Sequence, residues 1–193
     1  MKAISYSSLS IALFATMFGS AAHSEISKWK DIGWWNISFY PANSGCSAYA
    51  EYEGGTHFFI GLEGEQNLYL RVMIFNDLWK SIEKEKEYDV EVTFGNETPW
   101  TLEMTGVELK SSSGLSFVID AQSETAGLFV EEFSKEVNMQ WQYLGKPLGL
   151  LLLLNNSRDA FREVVECTRS YKDAVEQISD PFAVGTGKSD PFQ

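Results

Sequence analysis

The sequence predicts one α+β, β-rich domain, an antiparallel β-sandwich or partly closed barrel with two helices of the C-terminal half packed on it. From residue 34 to about residue 120, apolar residues alternate with period two in short segments, which is typical of half-buried strands. Clusters of Gly, Asn, Ser and Pro separate these segments and are typical of turns. After residue 123 the apolar spacing changes to three and four, which indicates helices.

About eight strands are predicted in the first of these regions. The clearest spans residues 88–94, where Val90, Val92 and Phe94 alternate with polar residues. Short strands at close spacing favour an antiparallel sandwich or barrel-like sheet. The predicted strands span residues 34–40, 46–52, 58–62, 68–75, 88–94, 100–105, 107–110 and 115–119.

The C-terminal half predicts two helices with a strand between them. The first helix lies within residues 123–137, and its apolar face carries Ala126, Phe129, Val130, Phe133 and Val137. The apolar run 148–154 is too short to cross a bilayer and predicts a buried strand. The second helix begins after this run, where Asn155, Asn156 or Ser157 can cap it. Its apolar face carries Ala160, Val164, Cys167 and Tyr171.

Residues 1–24 have the pattern of a secretory signal peptide. Lys2 precedes a short apolar stretch, and small residues then allow cleavage after Ala22 or Ser24. The alternative is a membrane anchor, which needs about 20 apolar residues, whereas several serines interrupt this stretch. We therefore expect a periplasmic or extracellular protein without a transmembrane anchor once the signal has been removed.

The remaining chain is expected to form one domain, residues 25–175, followed by a flexible tail, residues 176–193. In the tail, the sequence Ser-Asp-Pro-Phe of residues 179–182 recurs at residues 189–192. Between the two copies, residues 185–189 resemble the end of a phosphate-binding loop. Phe182 stands where that motif requires glycine, so the likeness is accidental.

The charge balance limits the partners of the protein. The chain has 15 Lys+Arg against 27 Asp+Glu, a formal net charge of −12. Binding a nucleic-acid backbone requires clustered cations, so nucleic acid is not expected as a partner. An anionic membrane surface is disfavoured for the same reason.

The chain has two cysteines, Cys46 and Cys167. In an oxidising compartment the expected arrangement is a disulfide between them. Two free buried thiols and intermolecular pairing are the alternatives. Cys167 lies on the apolar face of the last predicted helix, and Cys46 shares a strand face with Ala48 and Ala50. Such small neighbours allow a helix to approach the strand closely enough for a bridge.

No catalytic, cofactor-binding or metal-binding residues are predicted. His57 is the sole histidine after signal removal, and a single histidine without a nucleophile motif favours a structural role. Calcium is the one ion that the remaining carboxylates leave open, although no calcium-loop motif is present. Glu51 and Glu53 share a strand face and could act in glycoside hydrolysis only if a second carboxyl lay beside them in a deep cleft.

The adjacent Trp34 and Trp35 indicate a candidate interaction surface. The ordinary role of tryptophan in a small β domain is to fill the core. Successive residues of a strand point to opposite faces, so both indoles cannot face the core. One of them is expected to cover an edge, line a groove or meet a partner.

The order of these features resembles that of small exported bacterial envelope proteins of the invasion-associated locus B type. The residues that carry the resemblance are Trp34, Ile37, Cys46 and Ala48, followed by Asn156, Ser157, Ala160 and Cys167. It implies a periplasmic or surface protein without known catalysis, and it transfers no functional residues.

We therefore expect a non-enzymatic binding or interaction module whose partner is another envelope protein with basic or partly apolar character. The first alternative is a carrier that holds an apolar small molecule in a barrel-like cavity. The second is a secreted hydrolase that uses carboxylates such as Glu51 or Glu53. The sequence leaves the identity of the partner and the oligomeric state open.

Overall fold

The structure is a computed structural model that describes residues 25–109, 112–149 and 151–179. Outside these ranges lie the predicted signal segment and most of the predicted tail, including residues 185–189, which resemble the end of a phosphate-binding loop. Within them, eleven strands form one antiparallel sheet, and two α-helices follow in the C-terminal half. The predicted β-rich α+β class is confirmed.

The elements have the following bounds. The strands are β1 (Ser27–Ile32), β2 (Trp35–Tyr40), β3 (Gly45–Tyr52), β4 (Thr56–Glu63), β5 (Tyr69–Asn76), β6 (Glu87–Phe94), β7 (Trp100–Leu109), β8 (Ser112–Asp120), β9 (Asn138–Tyr143), β10 (Lys146–Pro147) and β11 (Leu152–Leu153). The helices are α1 (Glu124–Lys135) and α2 (Ser157–Ser179). The order in the sheet is β1-β2-β3-β4-β5-β8-β7-β6-β9-β10, and β11 also pairs with β9.

The sheet curls around one of its two faces. Trp141 of β9 lies 6.3 Å, between ring centroids, from Phe58 of β4, although four strands separate β4 from β9 in the sheet. A flat sheet with strands about 4.8 Å apart could not bring these rings together. The curled sheet therefore has an inner face, which holds the core, and an outer face.

Both helices pack against the inner face. Phe133 of α1 contacts Trp35 and Phe58, and Phe129 contacts Phe94 of β6. Helix α2 lies across β1 to β4. Aromatic and aliphatic side chains from helices and strands thus fill the interior together.

Helix α1 is shorter than the apolar pattern predicts. The Ser123 hydroxyl caps its start by accepting a hydrogen bond from the Ala126 amide at 3.1 Å, as short polar side chains do at helix N-termini. The helix ends at Lys135, where Glu136 becomes extended and leads into β9. The prediction that Val137 lies on the buried helix face is wrong, because its side chain is exposed.

The prediction of one buried strand over residues 148–154 is also wrong. Strand β11 comprises Leu152 and Leu153 alone, and Gly149 before it has a positive φ of 84°. Leu152 and Leu154 are buried, whereas Leu151 and Leu153 are exposed. Over residues 151–154 the leucines therefore alternate between exposed and buried positions.

Strands β1, β9 and β10 were not predicted, and β7 is one strand rather than two. Strand β1 is exposed along almost its whole length, so it has no apolar alternation to detect. Strand β9 does carry this signal, because Met139 and Trp141 are buried while Gln140 between them is partly exposed. The alternation 139–143 could have identified it.

The predicted disulfide between Cys46 and Cys167 is present. It joins the start of β3 to α2 across 121 residues, with the two Cα atoms 6.0 Å apart. Ala48 and Ala50, on the same strand face, are fully buried, and their small side chains allow α2 to lie close to β3. The helix continues to Ser179, past the predicted domain end at residue 175.

Two hydrogen bonds to Glu163 attach the edge strand β1 to α2, and they come from the two residues at a β-bulge in β1. The pairing of β1 with β2 shifts between Lys28 and Lys30, and a bulge can direct two successive side chains to one side. Both the Lys30 ammonium, at 2.8 Å, and the Trp29 indole N–H, at 3.3 Å, donate to the Glu163 carboxylate of α2. These hydrogen bonds, that of Lys30 first, lower the pKa of Glu163 although burial opposes them.

We expect the double variant Cys46→Ala/Cys167→Ala to unfold with a free energy lower by about 2–4 kcal/mol, because the unfolded chain loses its cross-link. Urea unfolding with and without reductant measures this. The reductant should destabilise the native protein and leave the double variant unchanged. Equal stability of the oxidised native protein and the double variant would contradict the structural role of the bridge.

We expect Glu163→Gln to accelerate amide hydrogen exchange in β1 and to lower stability by about 0.5 kcal/mol at neutral pH, since the ion pair is partly exposed. A carboxyl whose pKa is lowered by folding stabilises the protein above its ordinary pKa, and this contribution disappears as the pH falls through the lowered value. The difference between native and variant unfolding midpoints should therefore vanish in acid. Glu166→Gln is the control, because Glu166 pairs with Arg169 within α2.

Candidate interaction surfaces

The outer face of the sheet carries aromatic side chains where polar ones are usual. An antiparallel sheet with one face on the core usually places polar residues on the other face. Here Tyr49, Phe59 and Met73 are directly opposed across β3, β4 and β5. Their neighbours along the chain, such as Ala48, Ile60 and Val72, point inward and are fully buried. Around Phe59 and Met73, strands β4 and β5 therefore carry apolar side chains on both faces of the sheet.

These residues line a groove with a volume of about 580 Å³, which we call the aromatic groove. Phe59 lies at its centre, with ring centroids 4.7 Å from Tyr49, 5.9 Å from Phe75 and 6.5 Å from Tyr40. The groove is lined by Ile26, Tyr40, Asn43, Ser47, Tyr49, Phe59, Arg71, Met73, Phe75, Val107, Glu108 and Leu109.

A glycine shapes one wall of the aromatic groove. Gly114 of β8 is directly opposite Phe75 of β5. A Cβ atom at position 114 would collide with the Phe75 ring. The missing side chain therefore lets Phe75 lie over β8, beside Val107 and Leu109 at the end of β7.

Arg71 introduces a positive charge into the aromatic groove. Its guanidinium forms an ion pair with Glu63, with Nη2 and Oε1 2.6 Å apart, and donates through Nη1 to the Ser116 hydroxyl at 2.8 Å. The buried Nε atom has no hydrogen-bond partner among the described residues. The Nε–H group is thus a buried donor that no described group satisfies.

A second polar group lies at the edge of the groove. The Tyr49 hydroxyl is 2.9 Å from His57 Nδ1 and 3.4 Å from a carboxylate oxygen of Glu51. Burial, followed by the negative charge of Glu51, raises the pKa of Tyr49 to about 12. The phenol therefore stays protonated at neutral pH and acts as a hydrogen-bond donor. Glu51 and Glu53 are both exposed.

Carboxylates extend the outer face beyond the aromatic groove. From Met73, cross-strand neighbours lead through Ser116 and Thr105 to Glu87. Asp89 of β6 is directly opposite Glu103 of β7, and like charges in this position repel each other. We call Glu87, Asp89, Glu91 and Glu103, all exposed, the acidic strip. None of the four forms an ion pair with another described residue.

The structure separates the two adjacent tryptophans. Trp35 is fully buried, and its indole N–H donates to the Asn155 carbonyl at 2.9 Å. It therefore belongs to the core and cannot be part of an interaction surface in the folded protein. Trp34 is 47% exposed, as the prediction requires of one of the pair.

Trp34 forms part of a smaller apolar surface, which we call the Trp34 patch. Its ring centroid is 6.5 Å from that of Tyr52, whose hydroxyl donates to the Leu153 carbonyl at 2.8 Å. The register of β11 on β9 pairs Leu153 with Asn138, which follows the exposed Val137. The Trp34 patch thus comprises Trp34, Tyr52, Val137 and Leu153.

Within the described ranges, no three or more His, Cys, Asp or Glu side chains are grouped so that they could hold a metal ion. In the same part of the chain, no helix has both the length and the apolar character needed to cross a membrane. Comparison of the chain with known protein families gives no match, and neither do comparisons with curated proteins and with solved structures.

We expect Trp35→Ala to lower the free energy of unfolding by about 3–5 kcal/mol, because it leaves a cavity in the core. Trp34→Ala should lower the free energy of unfolding by less than about 1 kcal/mol, as is usual for surface positions. Chemical unfolding of the two variants side by side measures the difference. Equal destabilisation by both would mean that Trp34 is as much a core residue as Trp35.

Proposed function

We propose that this protein is an exported, non-enzymatic binding module whose aromatic groove receives an apolar segment of another envelope protein. The observation that carries the proposal is the aromatic groove itself. It lies on the face opposite both helices, where an antiparallel sheet usually carries polar side chains. Aromatic residues are enriched at the centres of protein interfaces because they bury much surface with few rotatable bonds.

The acidic strip supports a partner with basic residues. Asp89 and Glu103 face each other without a described cation between them, so a lysine or arginine of a partner would relieve their repulsion. Charges beside an apolar contact chiefly accelerate association and select the partner. The partner segment that fits best is therefore apolar where it meets the groove and basic where it meets the strip.

The alternatives receive less support. In a carrier the apolar ligand would occupy the inside of the barrel, whereas helix side chains such as Phe129 and Phe133 fill that space. A hydrolase would need Glu51 or Glu53 in a deep cleft, and both are exposed. The resemblance to envelope proteins of the invasion-associated locus B type implies a periplasmic or surface protein without known catalysis, and we retain it as part of the proposal.

Site-specific photo-crosslinking in the native envelope tests this function. A photoreactive phenylalanine analogue replaces Leu109, which lines the aromatic groove, or Leu128 on α1, which does not. The two positions are matched, because their side chains are 47% and 48% exposed. We expect a defined protein adduct from position 109 and none from position 128.

The acidic strip provides the second part of the test. Asp89→Lys and Glu103→Lys should each reduce the yield of the adduct at position 109 several-fold at low salt and less at high salt. Glu124→Lys, at the exposed start of α1, makes the same change of charge as the control. Equal adducts from positions 109 and 128, or no adduct from either, would contradict the proposal.

A further inference from the structure

The mouth of the aromatic groove lies beside the part of α2 that leads towards the C-terminus. Lys172 donates through Nζ to the Glu65 carbonyl at 3.1 Å. Tyr171 stacks on Phe39 with ring centroids 3.8 Å apart. Gly64, next to Glu65, donates its backbone N–H to the Asn43 carbonyl at 3.1 Å, and Asn43 lines the groove. Two neighbouring turns, residues 41–44 between β2 and β3 and residues 64–68 between β4 and β5, therefore lie between α2 and the groove.

We infer that the second copy of the repeated tail sequence, Asp190-Pro191-Phe192, occupies the aromatic groove of its own chain. Phe192 would pack among the rings around Phe59, and Asp190 would face Arg71. This inference rests on the proposed function, since it treats the groove as a binding surface. It also gives a role to a repeat that the fold leaves unexplained.

Distance selects the second copy of the repeat over the first. Helix α2 carries the chain roughly 10 Å past Lys172 before it ends at Ser179. The chain must then return by that distance and cross a sheet layer about 10 Å thick. A fully extended chain from Ser179 reaches roughly 10 Å at Phe182 and roughly 43 Å at Phe192. Phe192 therefore reaches the aromatic groove, and Phe182 does not.

The chemistry of the segment matches the aromatic groove. A phenylalanine ring adds to the edge-to-face cluster that Phe59 forms with Phe75. The Arg71 guanidinium has one carboxylate partner among the described residues, Glu63, and it can accept a second. Because the segment is tethered, its effective concentration at the groove is in the millimolar range. Even a weakly binding segment therefore occupies the groove for much of the time.

The same segment matches the acidic strip poorly, because Lys188 and Asp190 leave it without a net positive charge. A basic, apolar partner that engages both the groove and the strip would therefore displace it. The tail would thus act as a built-in competitor for the aromatic groove.

Methionine methyl NMR of the full chain tests the inference. Met73 lines the aromatic groove, whereas Met104 and Met139 are fully buried in the core and serve as internal references. We expect Phe192→Ala to displace the Met73 methyl resonance and to leave the other two unchanged. Phe182→Ala is the matched control from the first copy and should leave all three unchanged.

A synthetic peptide of residues 187–193, added to the Phe192→Ala protein, should move the Met73 resonance back towards its native position. The same peptide with alanine for Phe192 should not. The inference is overturned if Phe192→Ala leaves Met73 unchanged, or if Phe182→Ala has an equal effect. It is also overturned if the Met73 position depends on protein concentration, because a second copy of the chain would then be the occupant.

The photo-crosslinking described above separates this inference from the proposed function. With the tail as competitor, Phe192→Ala should increase the adduct yield at position 109 several-fold, and Phe182→Ala should not. An adduct that persists while Met73 is unaffected by Phe192→Ala would refute the tail inference and leave the proposed function intact. The reverse result, a Met73 displacement without any adduct, would refute the proposed function alone.

Discussion

The disulfide between Cys46 and Cys167 is the constraint on which the arrangement of the fold depends. It holds α2 against the start of β3, and several further contacts follow from the position of that helix. Glu163 can hold Trp29 and Lys30 of the edge strand because α2 cannot move away from β3. The bridge thus connects the third strand to the last helix through one covalent bond.

The position of the helices decides which surfaces can bind. Because α1 and α2 fill the inner face, apolar side chains on the outer face have no covering layer among the described residues. Phe59 and Phe75 nevertheless lie there and bury each other. Only 9% of Phe59 and 3% of Phe75 is exposed, so the apolar area open to a partner comes mainly from side chains around them, such as Ile26 and Leu109.

The outer face combines two properties that would conflict if stability were the only requirement. Aromatic side chains at one end favour burial, and opposed carboxylates such as Asp89 and Glu103 at the other end repel each other. Proteins tolerate such local costs most often where a surface functions in binding. The Trp34 patch comprises four residues, against the twelve that line the aromatic groove, so it contributes less to the proposed function.

The sequence alone determined the class of the fold, because period-two and helical spacing reflect which residues are buried. It also predicted the disulfide between Cys46 and Cys167 and that one of Trp34 and Trp35 lies outside the core. It did not indicate which of the two tryptophans is buried. The exposed strand β1 carried no such signal. Only the tertiary structure decided the aromatic groove, because Tyr49, Phe59 and Met73 become neighbours through cross-strand register. Register depends on turns and on packing against α2, and local periodicity does not record it.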